Sequence, residues 1–257
     1  MDQAAPVPRE GKKIFFLYPH SVIKDEMLDV LIMAGFETYI AADAGRTLRL
    51  LEKFSGSFLF INIDEHFTEK EWEAYIRSIQ EGAATKNSLI GILSYNQDTK
   101  LMQKYLMEMQ IQCGYIQLKL GLQASTKIIL GALAANEAKG RRKYIRADCE
   151  DDVYATLNFR DANQVFQGKI FDISSAGIAA RIDKLGEKAA NTVIKEVQLK
   201  LHGNLVMTDT IVMGKRRDDV NVYVLLFDPN RLTREGKLAI HHYIKQCLQK
   251  YIDSLKV

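Results

Sequence analysis

Residues 164–183, QVFQGKIFDISSAGIAARID, read as two strands of about 164–172 and 177–183 joined by a short polar bend from Ser175 to Gly177. Working outward, the same rhythm recurs. A strand is expected at about 153–160 before this pair, and others at 193–202, 204–214 and 219–228 after it, with short polar turns at Phe159 to Asn163 and Arg216 to Asp219. Six antiparallel strands at this spacing suggest a small closed barrel. Beyond Pro229 a helical stretch runs to about Ser254, with Ile240, Ile244, Cys247, Leu248, Tyr251 and Leu255 on one side. That stripe is expected to pack against the barrel or the N-terminal half; a dimer helix is the alternative.

Upstream of Gly140 the rhythm is different. Apolar strand-like runs, KKIFFLY, FETYIA, SFLFINI, SLIGILS and GYIQLKL, alternate with helical stretches around 21–34, 44–54, 67–81, 97–109 and 122–139. Five β/α units in succession predict an α/β domain on a five-stranded parallel sheet. Leu28, Leu31 and Ile32, and again Leu48, Leu51 and Phe54, recur at three- and four-residue spacing and give each helix a face for the sheet. The chain of 257 residues is therefore expected to hold two domains, 12–139 and 140–257.

Hydrophobic residues at 47% and charged residues at 26% exclude a disordered chain. Thirty-five Lys and Arg against 32 Asp and Glu leave a net charge of +3, too balanced for generic nucleic-acid binding, so any anion site must be local. No apolar run approaches the roughly 20 residues that span a bilayer, and MDQAAPVPRE lacks the regions of a signal peptide. Three scattered cysteines, Cys113, Cys149 and Cys247, without a CxxC pair, suit a reducing cytoplasm. The adjacent His241 and His242 diverge by about 100° on a helix, and no Asp, Glu or Cys stands at ligand spacing, so no metal site is expected there.

Two short segments carry the chemistry. Gly140-Arg141-Arg142-Lys143-Tyr144-Ile145-Arg146 places four cations and an aromatic ring between the two halves, and by itself would be a solvated basic linker. Asp172-Ile173-Ser174-Ser175-Ala176-Gly177 follows the second barrel strand, where strand periodicity puts Asp172 and Ser174 on one face and Gly177 permits a turn or a close approach. In this order, separated by one strand and followed by a barrel and helix, Arg142xxxArg146 and Asp172xSer174xxGly177 resemble the RxxxR and (D/N)xSxxG motifs of the PilZ family, over roughly Arg141 to Leu255.

That resemblance implies a six-stranded antiparallel barrel that binds cyclic di-GMP. Its receptor needs planar cations able to pair bidentately with phosphate or with guanine O6 and N7 while stacking on purine faces, which arginine does and lysine does not. The resemblance assigns Arg142 and Arg146 to guanine edges and phosphates, with Arg141 assisting. Asp172, an acceptor, suits guanine N1–H and N2–H₂; the Ser174 hydroxyl can donate or accept, and Gly177 leaves room. An acidic residue in a basic site argues against plain polyanion binding. There is no GxSxG, Walker-type loop or paired carboxylates for hydrolysis, so a binding module without catalytic residues, cofactor or metal is expected.

The first half resembles a response-regulator receiver domain in order and length, including GFETYIAADAGRTLRLLEKF, with Ser94 ending the fourth strand and Lys119 the fifth. It departs from that family where a receiver holds Mg²⁺: Tyr18-Pro19-His20 replaces the acidic pair, and Asn62, not Asp64, aligns with the phosphoacceptor. A pseudo-receiver making protein contacts is expected, with Trp72 as core or interface. The alternative is a phosphorylation-controlled response regulator, accepting on Asp64, whose barrel binds nucleic acid or protein.

Overall fold

The structure, a computed structural model, describes residues 11–257 apart from 22, 141, 183, 184, 187, 217, 218 and 220. The described chain divides into two units, one running to Lys143 and including Ile252–Val257, the other Tyr144–Tyr251.

The first unit carries a five-stranded parallel sheet: β1 (Ile14–Leu17), β2 (Thr38–Ala41), β3 (Phe58–Asn62), β4 (Leu89–Ser94) and β5 (Tyr115–Gln117), in the order β2-β1-β3-β4-β5. Strands β1 and β3 are buried throughout, IFFL and FLFIN, because helices covering both faces of a parallel sheet leave no place for a polar alternation. The helices are α1 (Leu28–Met33), α2 (Ala44–Lys53), α3 (Glu69–Glu81), α4 (Thr99–Gln103) and α5 (Leu122–Ala135). Helix α3 opens with a capping box in which Thr68 and Glu71 satisfy each other's backbone donors.

Two helices are more irregular than their periodicity predicts. A π-helical turn, Ile23–Met27, precedes α1, and another, Lys104–Glu108, follows α4. The fifth strand stops at Gln117, where a 3₁₀ turn, Leu118–Leu120, takes over before Gly121 at φ 87°. Lys119 is exposed on that turn.

The second unit is a closed antiparallel barrel. Its strands are β7 (Thr156–Asp161), β8 (Gln164–Ser174), β9 (Gly177–Ile182), β10 (Val193–Leu201), β11 (Asn204–Lys215) and β12 (Val222–Phe227). Pairing runs β7-β8-β9-β12-β11-β10 and returns to β7. Two of its hairpins use two-residue turns with both residues at positive φ: Ala162 (45°) with Asn163 (66°), and His202 (45°) with Gly203 (89°). This geometry matches the twist of the flanking strands. The first and last strands start later than expected. Tyr154 N–H donates to Asp152 Oδ1, and Asn221 N–H to Asp219 Oδ1, so both approaches are aspartate-closed turns.

A short strand, β6 (Ala147–Asp148), pairs with the end of β8 outside the closed ring. Helix α6 (Arg234–Ser254) buries Ile240, Tyr243, Ile244, Leu248 and Ile252 within the chain, which answers the expectation of packing over a dimer helix. Tyr251 lies outside this stripe and is 44% exposed, since the helical phase brings Ile252 inward instead. Tyr243 Oη–H donates to Asp152 at 2.7 Å, and His202 Nε2 lies 2.6 Å from the same carboxylate, tying α6 to the barrel entrance. No helix among the described residues is long and apolar enough to cross a membrane.

Candidate functional site

Antiparallel pairing builds the barrel site. Ala147 faces Ile173 and Asp148 faces Asp172, so the two residues of β6 carry Arg146 to the strand that bears Asp172. The Asp172 carboxylate lies between two guanidiniums: Arg146 Nη1 is 3.7 Å from Oδ1, and Arg216 Nη1 is 3.6 Å from Oδ2. These are ion pairs too long for well-formed hydrogen bonds. The arginine side chains are 45% and 36% exposed. Half-solvated pairs of this kind contribute about 0–1 kcal/mol. Asp148, directly across from Asp172 in the ladder, accepts from Glu150 N–H at 2.8 Å.

Register explains how the bend is presented. Between Ile170↔Ala180 and Asp172↔Ala179 one extra residue, Phe171, is accommodated in β8 as a bulge. Bulges of this kind re-aim the side chains that follow. Arg181, on β9, stacks its guanidinium 4.9 Å from the Phe171 ring and donates to Asp219 at 2.7 Å.

Ser174 and Gly177 serve the bend itself. The Ser174 hydroxyl, 8% exposed, donates to the Gly177 carbonyl at 3.1 Å and accepts from Ala176 N–H at 3.3 Å. At Gly177 a Cβ would stand 2.2 Å from the Leu225 carbonyl oxygen, so the β9–β12 approach requires glycine whether or not a ligand is near. Arg142 is exposed and falls just before the division between the units, which cuts the RxxxR segment between Lys143 and Tyr144. Arg141 lies outside the described residues.

Sequence reasoning missed Arg216. It was read as part of a polar hairpin connection, and the only signal was the density of charge in Lys215-Arg216-Arg217-Asp218-Asp219, which does not say which side chain meets Asp172.

At the carboxyl edge of the first unit's sheet, the buried Asn62 donates its amide to the Tyr18 carbonyl at 2.8 Å and accepts from Asp64 N–H at 3.1 Å. Asp64 is bound from three sides. The Ser94 hydroxyl donates to Oδ1, Tyr95 N–H donates to Oδ2 at 2.8 Å, and His20 Nε2 lies 3.3 Å from Oδ2. Tyr18 and His66, both at positive φ, stack at 3.7 Å over this edge. Trp72 is fully buried beside Phe67, 4.7 Å between ring centres, as a core residue would be.

A parallel sheet in the order β2-β1-β3-β4-β5, joined to a closed six-stranded barrel with a C-terminal helix, defines a two-domain chain of receiver-like and PilZ-like architecture. No protein-family model matches the sequence, and no curated protein matches it.

Among solved structures, 45% of the chain is similar to 99% of the PilZ domain with c-di-GMP of YcgR from Escherichia coli, at 16% identity and a TM-score of 0.36. Fifty-two per cent of it is similar to 93% of the signal receiver domain of an HD domain-containing protein from Pseudomonas fluorescens Pf-5, at 20% identity and a TM-score of 0.42. The Borreliella burgdorferi PlzA protein in complex with c-di-GMP is similar at 13% identity and a TM-score of 0.30, and this chain spans 47% of its length.

Proposed function

We propose that this chain is a cytoplasmic receptor for cyclic di-GMP that works by binding and not by turnover. The observation that carries the reading is the β6–β8 pairing, which brings Arg146 of one motif to Asp172 of the other and sets Arg216 on the opposite side of the same carboxylate. Two planar cations around one acceptor match a ligand with two phosphates and two guanine edges. In this reading Arg142 and Arg146, with Arg141 assisting, hold phosphates and guanine O6 and N7. Asp172 accepts from guanine N1–H and N2–H₂, and Arg216 joins the set. Ser174 and Gly177 keep the bend in the shape that presents Asp172.

The arginine segment is also the connection between the units, so ordering it on ligand changes how the first unit is presented to a protein partner. The first unit acts as a pseudo-receiver. A carboxamide stands where the acceptor carboxylate would be, and Asp64 is already held by Ser94, Tyr95 and His20.

Calorimetric titration of cyclic di-GMP into the wild type and an Arg142→Ala, Arg146→Ala double variant tests the reading, with GTP and cyclic di-AMP as controls. Hydrogen bonds to charged groups contribute about 1.5–3 kcal/mol each, so losing both arginines should weaken binding at least about a hundredfold. Folded wild-type protein that takes up no cyclic di-GMP would sink the proposal.

A further inference from the structure

Away from the arginines, the second unit brings together two free thiols that are far apart in sequence, Cys149 and Cys247. Backbone bonds fix the first. Cys149 N–H donates to the Phe171 carbonyl at 2.7 Å, which continues the β6–β8 ladder by one residue, and its carbonyl accepts from Asp152 N–H at 2.9 Å. The Asp152 carboxylate in turn accepts from Tyr243 Oη–H at 2.7 Å. Cys247 follows Tyr243 by one turn on the same face of α6. The aspartate therefore draws the helix in beside the end of β6, and the Cys149 and Cys247 side chains become hydrogen-bonding neighbours.

The two thiols are not equivalent. Cys149 is 2% exposed, whereas Cys247 is only half-buried and is the one a small solute meets. Cys149 Sγ–H donates to the Ala147 carbonyl at 3.4 Å, a weak bond that is easily exchanged for one to Cys247. The hydrogen bond with Cys149 holds the Cys247 thiol below its ordinary value against burial and Asp152, and Lys250 adds to the effect. The same bond, together with burial, pushes the Cys149 thiol up. Cys247 is thus the sulfur suited to attack and Cys149 the one suited to resolve. The third cysteine, Cys113, belongs to the first unit, where burial pushes its thiol up to about 12.

We propose that Cys149 and Cys247 form a redox-active dithiol that hydrogen peroxide converts to a disulfide, fastening the end of β6 to α6. The Cys247 thiolate attacks one peroxide oxygen and the O–O bond breaks. The hydroxide that leaves takes up the proton Cys247 released, giving water and a Cys247 sulfenic acid. Cys149 sulfur then attacks Cys247 sulfur, the S–O bond breaks, and hydroxide departs with the Cys149 proton as a second water. Two thiols give up two electrons and one peroxide accepts them; a dithiol reductant reverses the step by exchange. The disulfide does not depend on the nucleotide reading, although the strand it fastens is the one that carries Arg146 to β8.

The full-length protein, reduced and folded, is treated with hydrogen peroxide, its remaining thiols are alkylated, and its peptides are mapped by mass spectrometry. A peptide pair joined through Cys149 and Cys247, lighter by two hydrogen atoms and separated by dithiothreitol, is expected, with Cys113 recovered alkylated. In Cys149→Ser, oxidation should halt at a Cys247 sulfenic acid that dimedone captures. In Cys247→Ser, the dimedone adduct on Cys149 should be at least about tenfold scarcer. The wild-type peptide map decides the disulfide even where a serine variant fails to fold. Three intact thiols under peroxide that oxidises free glutathione, a disulfide that includes Cys113, a Cys247 sulfinic acid without any disulfide, or equal dimedone adducts on Cys149 and Cys247 in the two variants overturns the proposal.

Discussion

Gly177→Ala should destabilise the barrel whether or not a ligand is bound. The new Cβ would meet the Leu225 carbonyl oxygen at 2.2 Å and Leu226 Cα at 2.9 Å, whereas ordinary contact begins at 3.4 Å. Strands β9 and β12 must therefore part by about 3.4 − 2.2 = 1.2 Å at this point. The obstacle is main chain, paired in the ladder as Leu225↔Ile178 and Leu226↔Gly177, so no side-chain rotamer can relieve it. Overpacking of this kind costs about 1–3 kcal/mol, and a weakened ladder bond adds about 1 kcal/mol. For a unit of this size a loss of about 2–4 kcal/mol lowers the thermal midpoint by roughly 10–20 °C. Thermal unfolding followed by circular dichroism, with and without cyclic di-GMP, measures it. A variant that melts within about 2 °C of wild type but no longer binds nucleotide would refute the reasoning and return Gly177 to the role of ligand clearance.

Two further expectations concern carboxylates. Burial opposes the charged form of Asp152, but hydrogen bonds from Tyr243, Tyr154 N–H and His202 outweigh it and hold its pKa below the ordinary 3.8. A depressed folded value means that the stabilisation is complete above the unfolded value and is lost as pH falls through the folded one. Urea unfolding should therefore show the stability gap between wild type and Asp152→Asn closing as pH drops below about 4; a gap that stays constant down to acid would exclude this linkage. In the first unit, incubation with acetyl phosphate should leave Asp64 unmodified, as its oxygens are taken by Ser94, Tyr95 and His20. Mass spectrometry that found a phosphoryl group on Asp64 would restore the phosphorylated-receiver alternative.

Much of the barrel could be read from local pattern. The spans expected at 164–172, 177–183, 193–202 and 204–214 each overlap one observed strand closely, since strand periodicity and two-residue turns are properties of neighbouring residues. The same holds for the buried runs of β1, β3 and β4. Both halves of the motif were visible for that reason: Arg142xxxArg146 and Asp172xSer174xxGly177 are contiguous stretches.

The sequence by itself determined which segments form strands and helices, where the chain changes from α/β to β, and which short segments carry charge suited to a nucleotide. Tertiary structure alone decided which of those charges meet. Strand β6 is two residues long and has no period to detect, yet its pairing with β8 is what brings Arg146 to Asp172. Arg216 reaches the same carboxylate from a hairpin more than forty residues away, a distance that only barrel closure removes. At Gly177, where the sequence offers a turn or a close approach, the place of a side chain is taken by the Leu225 carbonyl of a neighbouring strand. The physical reason is common to all three: propensity and periodicity act between residues a few positions apart, whereas ion pairing, clearance and cavity lining depend on which strands the closed hydrogen-bond ladder sets side by side.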